Sequence, residues 1–194
     1  MSRPVFWLLS LPALLIALLS WRVFFLPMKL VMPEMGNYLA HVPWGVWGHV
    51  IFAPIALALM PLQLRTRKDA LHRWAGRAYA VSVLVAALSS LMLLPVSVAS
   101  SFARTGFGVL AVLWIGFTAL GVAAALRRDL ARHRVWMERS MALTFAAVSL
   151  RVVMMPLLAM GWTVAETYQI TAWGSWLLTL AVVELRRMKL KRAP

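Results

Sequence analysis

Six apolar stretches, each about 20 residues long, constrain this chain more than any other feature of its sequence. A helix needs about 20 apolar residues to cross the hydrocarbon core of a bilayer, so each stretch predicts a transmembrane helix. Hydrophobic residues make up 62% of the chain and charged residues 13%, against about 25% charged residues in typical soluble proteins. Barrel strands are half as long and alternate in polarity, which these stretches do not. We predict an all-α integral membrane protein with a single transmembrane domain over residues 1–194, a bundle of about six transmembrane helices at residues 5–26, 44–64, 77–98, 107–126, 139–160 and 169–186.

Basic residues concentrate in every second loop, and this pattern predicts the orientation of the chain. Only Arg22, Lys29, Arg104 and Arg151 of the 20 basic residues lie elsewhere. By the positive-inside rule, six crossings then place both the N-terminus and the C-terminus in the cytoplasm. The net charge of +14 reflects this placement, and we expect no binding to nucleic acid. The basic residues on the predicted cytoplasmic side are Arg3, Arg65, Arg67, Lys68, Arg73, Arg77, Arg127, Arg128, Arg132, Arg134, Arg139, Arg186, Arg187, Lys189, Lys191 and Arg192.

Several kinds of chemistry are excluded by what the sequence lacks. The chain has no cysteine, which excludes disulfides, thiolate catalysis and cysteine-ligated iron–sulfur clusters. It also lacks a glycine-rich phosphate loop, a nucleophile elbow and a zinc-protease motif. The apolar run after Arg3 is not followed by a small-residue cleavage site, so we predict a retained first span rather than a signal peptide. We therefore assign no catalytic residue.

Two loops on the predicted cytoplasmic side resemble one another. Residues 69–74 read Asp-Ala-Leu-His-Arg-Trp, and residues 129–136 read Asp-Leu-Ala-Arg-His-Arg-Val-Trp. Each has an aspartate, a His-Arg pair, a tryptophan and then an arginine at the start of a helix. The match predicts an internal repeat of two helix pairs, and it places His72 and His133 at one depth in the membrane.

These two histidines are the first candidates for chemistry. Polar residues recur at the same two spacings on the helix face below each of them, Tyr79 and Ser90 in one helix and Ser140 and Arg151 in the other. Polar groups within a membrane tend to face the bundle interior, so we predict that both imidazoles point inward, toward each other. Two neutral imidazoles placed in this way can be the axial ligands of a haem iron. The neighbouring arginines can hold the haem propionates; they are Arg73, Arg77, Arg134 and Arg139.

A second interpretation of the same loops needs no cofactor. A His-Arg pair in a basic cytoplasmic loop is often interfacial, where it binds lipid phosphate and sets topology. This interpretation makes the protein a non-enzymatic module for lipid or for a protein partner.

A second group of polar residues lies toward the opposite side of the membrane. His49 and Arg151 are predicted at matching depth in their spans, and Gln63 lies near the face of His49. A buried arginine costs roughly 2.5–3.5 kcal/mol on the insertion scale unless it is paired or hydrated. One interpretation is an outer cavity for a quinone, a haem edge or a lipid headgroup, with Glu34, Glu166 or Tyr168 as partners; the other is that Arg151 reaches the outer interface.

Two segments resemble the motifs of a known family. Residues 72–79, HRWAGRAY, fit the pattern HRxxGRxY, and residues 133–151, HRVWMERSMALTFAAVSLR, fit HRxWMxRSxALTFAAxxLR. His49 and Gln63 match an early histidine and glutamine of the same family. The resemblance covers roughly residues 45–185 and is to bacterial predicted integral membrane proteins, domain of unknown function 2306. It implies a multi-pass protein of the bacterial cytoplasmic (inner) membrane, and it implies no activity.

Three functional hypotheses follow from these observations. The first is a b-type haem-binding or quinone-linked electron-transfer protein, with haem iron held by His72 and His133 and with a quinone or a redox protein as partner. The second is the lipid-binding or partner-binding module. The third is a small-solute transporter, which the lack of charged residues at the centre of the spans disfavours.

Overall fold

Helices account for nearly all of the chain that can be described. The computed structural model describes residues 2–27, 35–66 and 69–192, and no strand occurs among them. This confirms the all-α class. The loop residues Lys29, Glu34, Arg67 and Lys68 lie outside the described residues. The helices are α1 (Arg3–Ser20), α2 (Met35–His41), α3 (Pro43–Arg65), α4 (Ala70–Leu93), α5 (Ser101–Leu126), α6 (Leu130–Ala159) and α7 (Val164–Arg192), and short 3-10 turns at Trp21–Phe24 and Leu94–Val96 extend α1 and α4.

Five of the described helices are long and apolar enough to cross a membrane. They are α1 with its 3-10 extension, α3, α4 with its extension, α5 and α6. The sixth predicted span lies within α7, which is 29 residues long but falls short of the apolarity of the other five. Polar side chains interrupt α7, among them Gln169, Ser175 and Glu184. The sixth crossing, and with it the cytoplasmic location of both termini, stays a prediction.

The chain divides into two units, residues 1–98 and residues 99–194, called here the first and the second unit. In the first unit α3 packs against both α1 and α4. In the second unit α5, α6 and α7 pack against one another. Each unit therefore contains an antiparallel helix pair, α3–α4 or α5–α6, joined by one of the two similar loops.

The helices that carry the His-Arg pairs begin well before the apolar segments that predict them. The side chains of Asp69 and Asp129 accept hydrogen bonds from the first turns of α4 and α6 and so define where these helices start. A capping box starts α7, because Thr163 and Glu166 each accept a hydrogen bond from the backbone N–H of the other. The backbone N–H and the hydroxyl of Thr163 hold the pKa of the Glu166 carboxyl below its usual value.

A glycine lets α3 and α4 approach closely in the first unit. A Cβ atom added to Gly48 would lie only 2.1 Å from Oγ of Ser89 and 3.2 Å from its Cβ. Ser89 is buried and its side chain is short, so it has little room to move away. Close backbone approach through small residues is the usual way in which membrane helices gain van der Waals contact.

We expect Gly48→Ala to lower the free energy of unfolding by about 1–3 kcal/mol, because the added methyl group overpacks the α3–α4 contact. The measurement is thermal unfolding of the detergent-solubilised protein, followed by circular dichroism. Ser89→Ala removes the clashing oxygen, so the double variant should regain part of the lost stability.

Gly116→Ala in α5 is the matched control, because a Cβ atom at Gly116 meets nothing within 4 Å. This substitution should be neutral or should stabilise the helix by up to about 1 kcal/mol through helix propensity. Equal effects of the two glycine substitutions would show that the α3–α4 approach is not close.

Candidate functional site

Hydrogen bonds from the end of α3 and from the start of α4 hold His72 in place. The carboxylate of Asp69 accepts from the backbone N–H of His72 at 2.6 Å, which caps the helix. The buried side chain of Gln63, near the end of α3, donates from Nε2 to the carbonyl oxygen of His72 at 3.0 Å. The predicted site residues Gln63 and His72 are therefore in direct contact.

The ring of His72 is oriented by Thr66. The Thr66 hydroxyl donates its hydrogen to the carbonyl oxygen of Leu62 at 2.7 Å, and its Oγ1 lies 3.4 Å from Nδ1 of His72. Since the hydroxyl hydrogen is already used, Thr66 can only accept from a protonated Nδ1. In the neutral ring, the tautomer assigned from these contacts leaves the lone pair on Nε2.

An exposed aromatic–cation pair follows His72 on α4. The guanidinium of Arg77 lies 4.8 Å from the centroid of the Trp74 ring, within the range of a cation–π interaction. Trp74, Arg77 and Arg73 are all exposed. The N-terminal part of α4 therefore presents a basic and aromatic surface.

His49 is the half-buried histidine of α3, and it contacts α4 far from His72. Its Nδ1 lies 2.8 Å from Oγ of Ser90 and 3.2 Å from the carbonyl oxygen of Ala86. When the Ser90 hydroxyl donates to the Ala86 carbonyl at 3.0 Å, Nδ1 of His49 is the donor to Ser90. This pair ties α3 to the predicted polar face of α4, on which Ser90 and the buried Tyr79 lie.

The start of α6 in the second unit resembles that of α4, with an aspartate that caps the helix and a histidine whose ring is held by a hydrogen bond. The carboxylate of Asp129 accepts from the backbone N–H of Arg132 at 3.0 Å. Nδ1 of His133 lies 2.8 Å from the carbonyl oxygen of Gly121 on α5, so Nδ1 is the donor, and in the neutral ring Nε2 carries the lone pair. A Cβ atom at Gly121 would lie 2.5 Å from the sulfur of Met137, so a larger residue here would require the Met137 side chain to move.

Two ion pairs join α6 to α7 just beyond this turn. Nε and Nη2 of Arg139 bind the two carboxylate oxygens of Glu184 at 2.5 and 3.0 Å. Nη1 of Arg187 binds Oε2 of Glu138 at 2.9 Å. Each helix thus supplies one acid and one base, and the bidentate pair has the geometry in which an arginine binds a carboxylate most strongly.

Aromatic rings complete the surroundings of Arg139. Its guanidinium lies 4.7 Å from the ring centroid of Trp136 and 5.9 Å from that of Phe117. The rings and Glu184 together enclose the cation, and its side chain is 24% exposed.

Buried hydroxyl groups set the register of α5 against α6. Thr118 and Ser140 share a hydrogen bond of 2.7 Å, and the indole N–H of Trp114 donates to the Thr144 hydroxyl at 2.9 Å. All four residues are buried. These contacts hold the helix face below His133 against α5 and leave Ser140 fully enclosed.

The two remaining predicted site residues are in the second unit. Arg134 is exposed on the first turn of α6. Arg151 is half-buried and donates from Nη1 to the carbonyl oxygen of Ala147 at 3.0 Å. The carboxylate of Glu166, one of its predicted partners, is bound by Thr163.

The predicted site residues fall into separate groups. His72 and Gln63 contact one another, while His49 contacts another part of α4. His133 and Arg139 are placed by α5 and α7 within the second unit. His72 and His133 belong to different units, and that they face one another stays a prediction. Among the described residues, no three histidine, aspartate or glutamate side chains lie close enough to hold a metal ion.

Sequence reasoning missed the acids that pair across α6 and α7. Glu138 and Glu184 were not assigned a role, although each lies in or beside an apolar segment. A carboxylate in such a position needs a cationic partner, and this requirement is the signal that points to Arg139 and Arg187. The hydroxyl contacts of Thr118 carry no comparable signal in the sequence.

The Arg139–Glu184 pair predicts a measurable coupling between α6 and α7. A double-mutant cycle with Arg139→Gln and Glu184→Gln should give a coupling free energy of about 1–2 kcal/mol, because two charge-assisted hydrogen bonds are lost together. The measurement is the unfolding midpoint of the four proteins in detergent.

Asp129 and Arg132 supply the control cycle. Their side chains are 39% and 77% exposed, so their coupling should stay below about 0.5 kcal/mol. A coupling at Arg139–Glu184 no larger than this control value would show that the pair does not hold α7.

Comparison with known proteins adds a family and no activity. No curated protein and no solved structure matches the chain. A family described as predicted membrane protein, domain of unknown function 2306, matches residues 46–186, which include both His-Arg turns and nearly all of α3 to α7. This match covers well over half of the chain and confirms the predicted resemblance, so the chain belongs to this family of membrane proteins.

Proposed function

We propose that this membrane protein binds a b-type haem and that His133 and His72 are iron ligands through Nε2. The observation that carries the proposal is the 2.8 Å contact between Nδ1 of His133 and the carbonyl oxygen of Gly121. Histidines that ligate a metal nearly always donate their other ring N–H to a carbonyl or carboxylate, which fixes the ring and its tautomer. His133 has this support, and its Nε2 carries the lone pair that iron requires.

His72 fits the same requirement in its own unit. Its Nδ1 faces an acceptor, Thr66 Oγ1, and its backbone is held by Asp69 and Gln63. The imidazole is half-buried at the first turn of a helix that is long and apolar enough to span the membrane. A neutral imidazole with a fixed tautomer at such a position is suited to bind iron.

The arginines beside the histidines are suited to the haem propionates in unequal degree. Arg73 and Arg134 directly follow the two histidines and are exposed. Arg139 is engaged by Glu184, so a propionate would have to compete with that carboxylate. We therefore assign the propionate contacts to Arg73 and Arg134, which adjoin the histidines; Arg77 and Arg139 lie farther along their helices and are less suited.

We further propose that this haem exchanges electrons with a quinone or with a redox protein. Haem would supply one-electron chemistry there, while His72 and His133 would hold its iron and the neighbouring arginines would hold its propionates. His49 places an imidazole within an apolar helix, and an imidazole can exchange a proton with a quinone oxygen.

The proposal predicts a Soret band in protein purified from haem-replete cells. We expect His133→Ala and His72→Ala each to lower haem content by more than about tenfold, since loss of even a supporting contact typically weakens metal affinity by about 10–100-fold. The measurement is the absorption spectrum together with the haem-to-protein ratio.

His41→Ala is the matched control, because Nδ1 of His41 also contacts a backbone carbonyl, that of Asn37 at 2.8 Å, but the residue is exposed. This variant should keep the full Soret band. A colourless wild-type preparation, or a band that survives both ligand substitutions, would refute the proposal.

A further inference from the structure

The two units start their second helices with the same pair of side chains. Trp74 and Arg77 on α4 have the spacing and the ring-to-cation distance of Trp136 and Arg139 on α6, 4.8 Å in one case and 4.7 Å in the other. Apolar residues continue both pairs along one helix face at spacings of four and three residues. A Trp–Arg pair followed by apolar residues on one helix face therefore occurs in both units.

In the second unit other parts of the protein cover the Trp–Arg pair and the apolar face that continues from it. Glu184 of α7 binds Arg139 with both oxygens, and the residues further along the same face, Leu143 and Ala146, are buried. In this unit the arginine of the pair therefore binds an oxyanion, and the apolar residues along the helix pack against apolar groups.

In the first unit the same face is open. The Arg77 stripe, defined as Trp74, Arg77, Val81, Leu84 and Leu88, is exposed along its whole length, with Trp74 67%, Val81 56%, Leu84 47% and Leu88 49% exposed. These residues succeed one another at spacings of three and four, so they form one continuous stripe.

The charge of Arg77 is not balanced within the described part of the first unit. Asp69 is the one acid described there, and its carboxylate caps α4. The ion pairs of Arg132, Arg139 and Arg187 lie in the second unit. The contact of Arg77 is with the ring of Trp74.

We propose that an anionic phospholipid occupies the Arg77 stripe. Its phosphate takes the position at Arg77 that the Glu184 carboxylate takes at Arg139, and an acyl chain lies along Val81, Leu84 and Leu88. A phosphate accepts two parallel hydrogen bonds from a guanidinium just as a carboxylate does. Trp74 suits the headgroup level, where tryptophan is enriched, and the cytoplasmic surface of a membrane attracts basic segments.

The composition of the stripe favours a lipid over other partners. A free phosphate would need only the cation, whereas this site continues into exposed aliphatic side chains for more than two helical turns. These turns lie in a helix long and apolar enough to span a bilayer, where lipid tails surround them. Charge and apolar surface together match the two parts of a phospholipid.

The test is lipid binding to the detergent-solubilised full chain, measured by native mass spectrometry with phosphatidylglycerol and phosphatidylcholine of the same acyl chains. Arg77→Gln should weaken phosphatidylglycerol binding by about tenfold, as expected for a lost hydrogen bond to a charged group. Arg77→Lys should fall between Gln and wild type, because lysine keeps the charge but not the planar fork. Phosphatidylcholine should bind weakly to all three proteins.

Arg127→Gln is the matched control, since it removes one exposed charge on the same predicted side at a position with no aromatic partner. It should change phosphatidylglycerol binding by less than about twofold. Leu84→Asn tests the acyl contact and should weaken binding with Arg77 intact. Elution as a single species confirms that each variant is folded.

Four outcomes would overturn the proposal. Arg77→Gln and Arg127→Gln could have equal effects, which indicates only diffuse attraction. Inorganic phosphate alone could readily displace phosphatidylglycerol, which indicates that the site binds a simple anion. Arg77→Gln could lower haem content and leave lipid binding intact, which assigns Arg77 to a propionate. Finally, Arg77→Gln could change only the oligomeric state, which assigns the stripe to a second copy of the chain. Haem is measured in the same samples, so failure of the haem proposal is distinguishable from failure of this one.

Discussion

The pairing of charges between α6 and α7 is the interaction on which the architecture of the second unit depends. A bilayer offers little water to a charged side chain, and an unpaired charge within a membrane helix is costly, most of all at its centre. Helix α7 contains Glu184 and is less apolar than the five helices that meet the requirement for a span. Arg139 neutralises that carboxylate through two hydrogen bonds, and the Glu138–Arg187 pair repeats the exchange in the opposite sense. These contacts make it physically reasonable for α7 to lie in the membrane as the last span.

The same basic turn is used differently in the two units. In the second unit the arginine of the Trp–Arg pair is taken by a carboxylate of the protein, and the helix face beneath it is buried. In the first unit the arginine and the face beneath it are exposed, and we propose that a phospholipid covers them. The histidine of each turn makes its own contacts. Its Nδ1 faces Thr66 in one unit and the Gly121 carbonyl in the other, and in the neutral ring this leaves the lone pair on Nε2. The same local sequence caps a helix in both units, and cofactor binding and contact with the headgroup layer are the further roles that we propose for it.

The sequence predicted the helices well because lipid leaves few alternatives to a helix of about 20 apolar residues. The predicted span 44–64 differs from α3, Pro43–Arg65, by one residue at each end. The starts of α4 and α6 lie earlier than the spans predicted at 77 and 139, since hydropathy marks the lipid-immersed segment while Asp69 and Asp129 mark where the helix begins. The polar contacts between helices were not predicted, because whether Arg139 meets Glu184 depends on the rotation of two helices about their axes. Periodicity along a single helix does not fix that rotation.

The central claim is that the chain crosses the membrane six times, with α7 as the final span. Because the protein has no cysteine, single cysteines can be introduced and labelled without background. The account predicts that a membrane-impermeant maleimide labels Val98→Cys in intact cells, and that it labels Arg127→Cys and Met188→Cys only after the membrane is permeabilised. Labelling of Met188→Cys in intact cells would contradict the account, because α7 would then not return the chain to the cytoplasmic side.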